Sequence, residues 1–74
     1  MPKDYGAEIG HKKFIELENV AKAMFPPKTK SLTCDIRQIA ALADVSYQIL
    51  LHHWHRKGRM GQVIYNKVKE VVNP

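Results

Sequence analysis

Residues 36–54 read IRQIAALADVSYQILLHHW, and the interruption ADVSYQ in this otherwise apolar stretch decides the fold. One long helix has no reason to place Asp44, Val45 and Ser46 in succession. Aspartate tolerates the left-handed backbone that often ends a helix, and serine is a favoured residue at the start of one. The sequence therefore predicts two short helices joined by a sharp turn.

Apolar residues on both sides of this turn recur at helical spacing. Val45 is expected to fill the corner, and Leu50 and Trp54 lie four residues apart on the second helix. The small Ala40 allows the two helices to cross closely, as in a helix-turn-helix unit. The residues of the first helix expected to face inward are Ile36, Ile39, Ala40 and Ala43.

Two further amphipathic stretches flank this pair. The first is predicted to bury Phe14, Leu17, Val20 or Ala21, and Met24. Proline at positions 26 and 27 ends it and predicts a loop to Leu32, after which Thr33 is expected to cap the next helix. The last stretch is expected to bury Ile64, Val68 and Val71 and to leave Val63, Tyr65 and Val72 exposed.

These patterns predict an all-α, compact four-helix domain that contains a helix-turn-helix. A chain of 74 residues is long enough for one domain with a thin core. We therefore predict a single domain over residues 1–74, with helices at about 8–25, 34–43, 46–56 and 61–72.

The formal net charge of +5 is unevenly distributed. Residues 45–69 include no acidic side chain, and four of the seven acidic residues lie in the first 18 positions. A half of the chain in which every charged side chain is basic favours a polyanionic partner, because clustered Lys and Arg release counterions from phosphates. An ordinary solvated basic face is the alternative.

Several classes of protein are disfavoured by the sequence. It shows no Ser-His-Asp set, carboxylate pair or glycine-rich phosphate loop, so we expect neither an enzyme nor a bound cofactor. The sequence has one cysteine, and it has neither an apolar run of membrane-spanning length nor an apolar leader. These features predict a soluble cytoplasmic protein without a membrane partner. No small-molecule effector is indicated.

The stretch IAALADVSYQILLHHW resembles the helix-turn-helix of bacterial and phage repressors in its small Ala40, turn residue Asp44 and apolar Val45. VSYQ at 45–48 is similar to the turn and recognition-helix start of the lactose-repressor family, and the resemblance covers about residues 35–70. It implies double-stranded DNA as the partner of a repressor-like transcriptional regulator.

Three departures from that family bear on the prediction. Asp44 stands in place of the usual glycine, Leu51 in place of a small polar phosphate contact, and His53 in place of an aliphatic core residue. The 74 residues carry no hinge segment or sugar-binding domain of that family. We expect a compact domain of phage or plasmid style.

The predicted site follows from the groove that the second helix of the pair would enter. The major groove of B-DNA admits an α-helix whose first turn faces base edges. The residues predicted to contact bases are Tyr47, Gln48 and His52. Those predicted to contact phosphates are Ser46, Arg56, Lys57 and Arg59.

Other interpretations of these residues remain open at this stage. Tyr47 and Gln48 could be ordinary exposed residues at a helix start. His52 and His55 lie three apart but lack the further ligands that zinc needs, so no metal is predicted. Trp54 fits a core position better than a base-stacking one, and a redox role for Cys34 has no adjacent support.

Three further expectations concern partners. Exposed apolar residues on a thin monomer suggest a homodimer that reads a palindrome. The alternative function is a protein-interaction module built on the same helical frame, and RNA binding is a weaker third option because the sequence lacks an aromatic sheet or glycine loop.

Overall fold

An extended N-terminal segment, residues 5–10, runs beside the start of the last helix in the computed structural model, which describes residues 5–30 and 33–72. Gly10 has φ 92°, a backbone conformation that side-chain-bearing residues rarely adopt, and the first helix begins after it. The prediction that this helix starts near residue 8 is therefore wrong by about three residues. Four backbone hydrogen bonds join this segment to residues 58–63: Ile9 N to Met60 O, Gly10 N to Gly58 O, Gln62 N to Ala7 O and Val63 N to Tyr5 O.

Helix α1, His11–Met24, buries one narrow stripe made of Phe14, Leu17 and Ala21. Met24 is 46% exposed and Val20 is 42% exposed, so the expectation that Met24 lies in the core is wrong. The helix ends just before the two prolines, as predicted.

Helix α2, Ile36–Ala43, is capped by Asp35, whose Oδ1 accepts a hydrogen bond from the backbone nitrogen of Gln38. The prediction that Thr33 is the cap is wrong, because the Thr33 hydroxyl lies two residues further out. That hydroxyl instead donates to Oε2 of Glu18 and accepts from Nε1 of Trp54, which joins α1 to the third helix. The predicted loop before α2 is observed at residues 26–30, and its last two positions, 31 and 32, lie outside the described residues. The inward-facing residues of α2 are the four predicted: Ile36, Ile39, Ala40 and Ala43.

The turn that follows α2 has the predicted geometry. Asp44 adopts the left-handed conformation, with φ 60° and ψ 46°. The backbone nitrogen of Val45 donates to the carbonyl of Ala40 over 3.0 Å, and the Val45 side chain packs partly buried against the core. Ser46 is extended, and helix α3 spans Tyr47–His55. Two short helices thus meet at a three-residue corner.

Helix α4, Gln62–Val72, follows a short 3-10 helix at Lys57–Arg59 and packs against both α1 and α2. Because it contacts two helices, its buried face is wider than a single stripe. Tyr65 and Val72 are buried, which corrects the expectation that they are exposed, whereas Val63 is 40% exposed as predicted. Ile64 and Val68 are buried and Val71 is partly buried.

The core joins all four helices. Leu50 and Trp54 of α3 are buried as predicted, and the Trp54 ring meets Phe14 of α1 edge to face at 5.4 Å between centroids. Over residues 5–30 and 33–72 the chain forms four α-helices and no strand, so the predicted all-α four-helix domain is confirmed. No helix in the described part of the chain is long and apolar enough to cross a membrane.

Candidate nucleic-acid interface

Helix α3 places the predicted base-contact residues on two different rows of its surface. Gln48 and His52, four residues apart, are both exposed and form one row. Tyr47 is partly buried and shares the adjacent row with Leu51 and His55. The structure therefore brings Gln48 and His52 together and separates Tyr47 from them.

The row that contains Tyr47 faces an open groove of about 880 Å³ between α2 and α3. Its other wall comes from α2, including Arg37 and Gln38, and its end from the loop before α2, including Lys28 and Thr29. Leu51 contributes an apolar surface to this groove.

Arg37 is a groove residue that the sequence analysis did not single out. Its guanidinium carbon lies 4.3 Å from the centroid of the Tyr47 ring, close enough for a cation–π interaction. Arg37 is exposed on α2, two residues after the cap Asp35. The available signal was its place on the polar side of α2, but the distance to Tyr47 depends on how the two helices cross.

The carboxylate of Asp35 is the acidic group of this groove, and only one of its two oxygens accepts a hydrogen bond. One oxygen caps α2 through Gln38 N, and the other lies 3.5 Å from Nζ of Lys28. Lys28 itself is largely exposed. The groove therefore offers cationic groups to solvent while its carboxylate is buried.

The predicted phosphate-contact residues lie at both ends of α3. Ser46 is at the N-cap position, and its side chain makes no capping hydrogen bond. At the other end, Arg56 and Arg59 both approach Oε2 of Glu8, at 3.6 and 3.4 Å. Lys57 is exposed, with φ 56°. Sequence reasoning missed the role of Glu8 because the N-terminal segment returns to this loop only in three dimensions.

His53 is a polar side chain on the buried side of α3. It is buried, it accepts a hydrogen bond from the backbone nitrogen of Gly61 at 3.2 Å, and its ring meets Tyr5 edge to face. Burial lowers the pKa of His53, and the positive charges of Arg56 and His52 lower it further. A neutral imidazole therefore serves as a core residue.

The structure gives little support to metal binding, to a reactive Cys34 or to base stacking on Trp54. Among the described residues, no group of three or more His, Cys, Asp or Glu side chains could hold a metal ion. Cys34 is buried, and burial raises the pKa of its thiol to about 11, which leaves it protonated and poorly nucleophilic at neutral pH. Trp54 lies in the core rather than on the surface where a base could stack.

Comparisons with known proteins add no relative. The chain matches no protein-family model, no curated protein and no solved structure. The similarity to the lactose-repressor family therefore depends on residues 45–48 and the pattern around them. Function has to be argued from the two helices, their turn and the side chains they expose.

Proposed function

We propose that the chain is a sequence-specific, double-stranded DNA-binding transcriptional regulator of repressor type, with α3 as the helix that enters the major groove. The observation that carries this proposal is the exposed pair Gln48 and His52 on one face of a helix that follows a left-handed turn. A helix presented in this way projects its first turn beyond the helix before it, as helix-turn-helix proteins require.

The dimensions of α3 suit the major groove. The helix has nine residues, so it is about 13 Å long at 1.5 Å per residue. The major groove is about 12 Å wide, which matches the diameter of one helix with its side chains.

Each exposed side chain has a distinct role in the proposed complex. Gln48 can form a bidentate pair with N6 and N7 of adenine, and His52 can donate to a base or phosphate one turn further along. Tyr47, which lines the groove between α2 and α3, would contact the DNA at the side of α3. Ser46 and Lys57 are assigned to phosphate contacts. Arg56 and Arg59, which approach Glu8 in the free protein, are also assigned to phosphate contacts in the complex.

The charge distribution supports a polyanionic partner. Residues 45–69 carry no acidic side chain, and this range includes all of α3 and the loop after it. The carboxylates of Glu8 and Asp35 approach this region from elsewhere. Glu8 lies at the end of α3 remote from Gln48, and the buried Asp35 lines the groove beside Tyr47. Gln48 itself is exposed in the first turn of α3.

Oligomeric state and location belong to the same proposal. A two-fold homodimer would place two copies of α3 in successive major grooves, one helical turn apart. Part of the apolar surface expected to drive it is absent, because Tyr65 and Val72 are buried within the monomer. Sedimentation with and without DNA tests the dimer, and a finding of monomer in both samples contradicts it. A DNA-binding regulator of this kind acts in the bacterial or phage-infected cytoplasm.

A protein-interaction module on the same frame is the alternative function, favoured by the exposed Leu42 and Val63. Salt dependence discriminates the two. Binding to a labelled random duplex should weaken linearly in a log–log plot against salt, with a slope of about 0.9 for each phosphate neutralised. Absence of duplex binding at low salt, or binding that does not respond to salt, contradicts the DNA proposal.

A further inference from the structure

We propose that the groove between α2 and α3 binds the sugar-phosphate backbone of one DNA strand, with Arg37 stacked on Tyr47 as its phosphate-binding element. This inference rests on the proposed function and assigns different DNA contacts to the two rows of α3. The row of Gln48 and His52 contacts base edges, and the row of Tyr47, Leu51 and His55 contacts the backbone.

The helical geometry of α3 requires such a division. Consecutive residues of an α-helix are about 100° apart, so the Tyr47 row faces sideways when the Gln48 row faces the floor of the major groove. What lies to the side of a helix in the major groove is the wall, which consists of phosphates. The open groove beside Tyr47 is the space that this wall would occupy.

The side chains of the groove have the chemistry of a phosphate site. Arg37, Lys28 and Gln38 offer N–H donors, and the Asp35 carboxylate is buried and already bonded to Gln38 N and paired with Lys28. A strand that enters the groove meets these donors, while the second Asp35 oxygen is buried, has no hydrogen-bond partner and lies 3.5 Å from Nζ of Lys28. Leu51 and Ala41 provide an apolar surface for the sugar.

Arg37 is more available to a phosphate than Arg56 and Arg59, the arginines predicted from the sequence to contact DNA. Arg56 and Arg59 share Glu8, whereas Arg37 makes no ion pair with any carboxylate in the described ranges, 5–30 and 33–72. The guanidinium carbon of Arg37 lies over the Tyr47 ring, 4.3 Å from its centroid, and a guanidinium that stacks on a ring keeps the N–H groups at its edge available to other partners. A planar fork held in this way can bind two oxygens of one phosphate.

The test compares Arg37→Gln with Lys69→Gln in titrations of a labelled random duplex at several salt concentrations. Lys69 is exposed on α4, over the Tyr65 ring and beside α1, so its variant removes the same charge outside the groove between α2 and α3. We expect Arg37→Gln to weaken binding about tenfold and to lower the salt slope by about 0.9. Lys69→Gln should bind like the wild type.

A conservative variant separates charge from geometry. Arg37→Lys keeps the charge but not the stacked fork, so it should restore the salt slope and recover only part of the affinity. If the wild type binds duplex DNA and Arg37→Gln binds equally well with an unchanged slope, the groove assignment is overturned and the proposed function stands. If the wild type itself does not bind duplex DNA at low salt, both are overturned.

Discussion

The backbone nitrogen of Gly61 donates a hydrogen bond to Nδ1 of His53 over 3.2 Å, and this bond joins the start of α4 to the buried side of α3. The bond requires an unprotonated Nδ1. Burial lowers the pKa of His53 below its usual 6.5, whereas unfolding exposes the ring to water and restores that value. Between the two values the unfolded chain binds more protons than the folded one, so the free energy of unfolding rises with pH.

We therefore predict that the stabilisation from neutral His53 is complete above about pH 6.5 and is lost as the pH falls through the lower, folded-state value. Urea unfolding between about pH 7.5 and about pH 5 measures this dependence. His53→Gln keeps an acceptor but cannot titrate, so its dependence should be flatter. The exposed His11→Gln should retain the wild-type dependence. Equal curves for His53→Gln and the wild type would contradict the assignment.

The left-handed Asp44 predicts opposite outcomes for two substitutions at one position. Glycine adopts this conformation freely, so Asp44→Gly should change the free energy of unfolding by less than about 1 kcal/mol. Valine is branched and strained there, so Asp44→Val should cost about 2 kcal/mol. Ala41→Val, which places the same side chain at an exposed position of α2, is the control and should cost less than about 1 kcal/mol. Urea denaturation provides the values, and equal stability of the Asp44→Gly and Asp44→Val proteins excludes the turn.

Glu8 competes with phosphates for Arg56 and Arg59 in the proposed complex. Glu8→Gln should therefore tighten binding to a random duplex a few-fold and steepen its salt dependence. Stability should change little, because exposed ion pairs contribute less than about 1 kcal/mol. Glu70→Gln on α4 makes the same change in net charge and should tighten binding less. Identical affinities for the two variants, measured by fluorescence anisotropy, exclude competition by Glu8.

Local signals in the sequence were sufficient for much of the fold. The turn at Asp44, the inward residues of α2 and the burial of Leu50 and Trp54 follow from spacing and from backbone preferences within a few residues. The ends of helices α3 and α4 were predicted to within one residue. These features depend on neighbours in the sequence, which is why pattern reasoning found them.

Features that depend on distant contacts were missed. Residues 8–10 were predicted to begin the first helix, but Ile9 and Gly10 pair with the backbone of Met60 and Gly58. Thr33 was predicted to cap α2, but its hydroxyl bonds Glu18 and Trp54. The burial of Tyr65 reflects the contact of α4 with two helices at once. In the candidate site, the approach of Arg37 to Tyr47 likewise depends on how α2 and α3 cross.

Selection from a randomised duplex library, with the wild type and with Gln48→Ala, tests the central claim most directly. The wild type should enrich a defined motif, and Gln48→Ala should lose preference at one base pair of it, at a cost of about 1 to 3 kcal/mol. The rest of the motif should survive, because the phosphate contacts are unchanged. A wild type that enriches no motif, or a Gln48→Ala protein that selects the same motif with the same strength, contradicts the account.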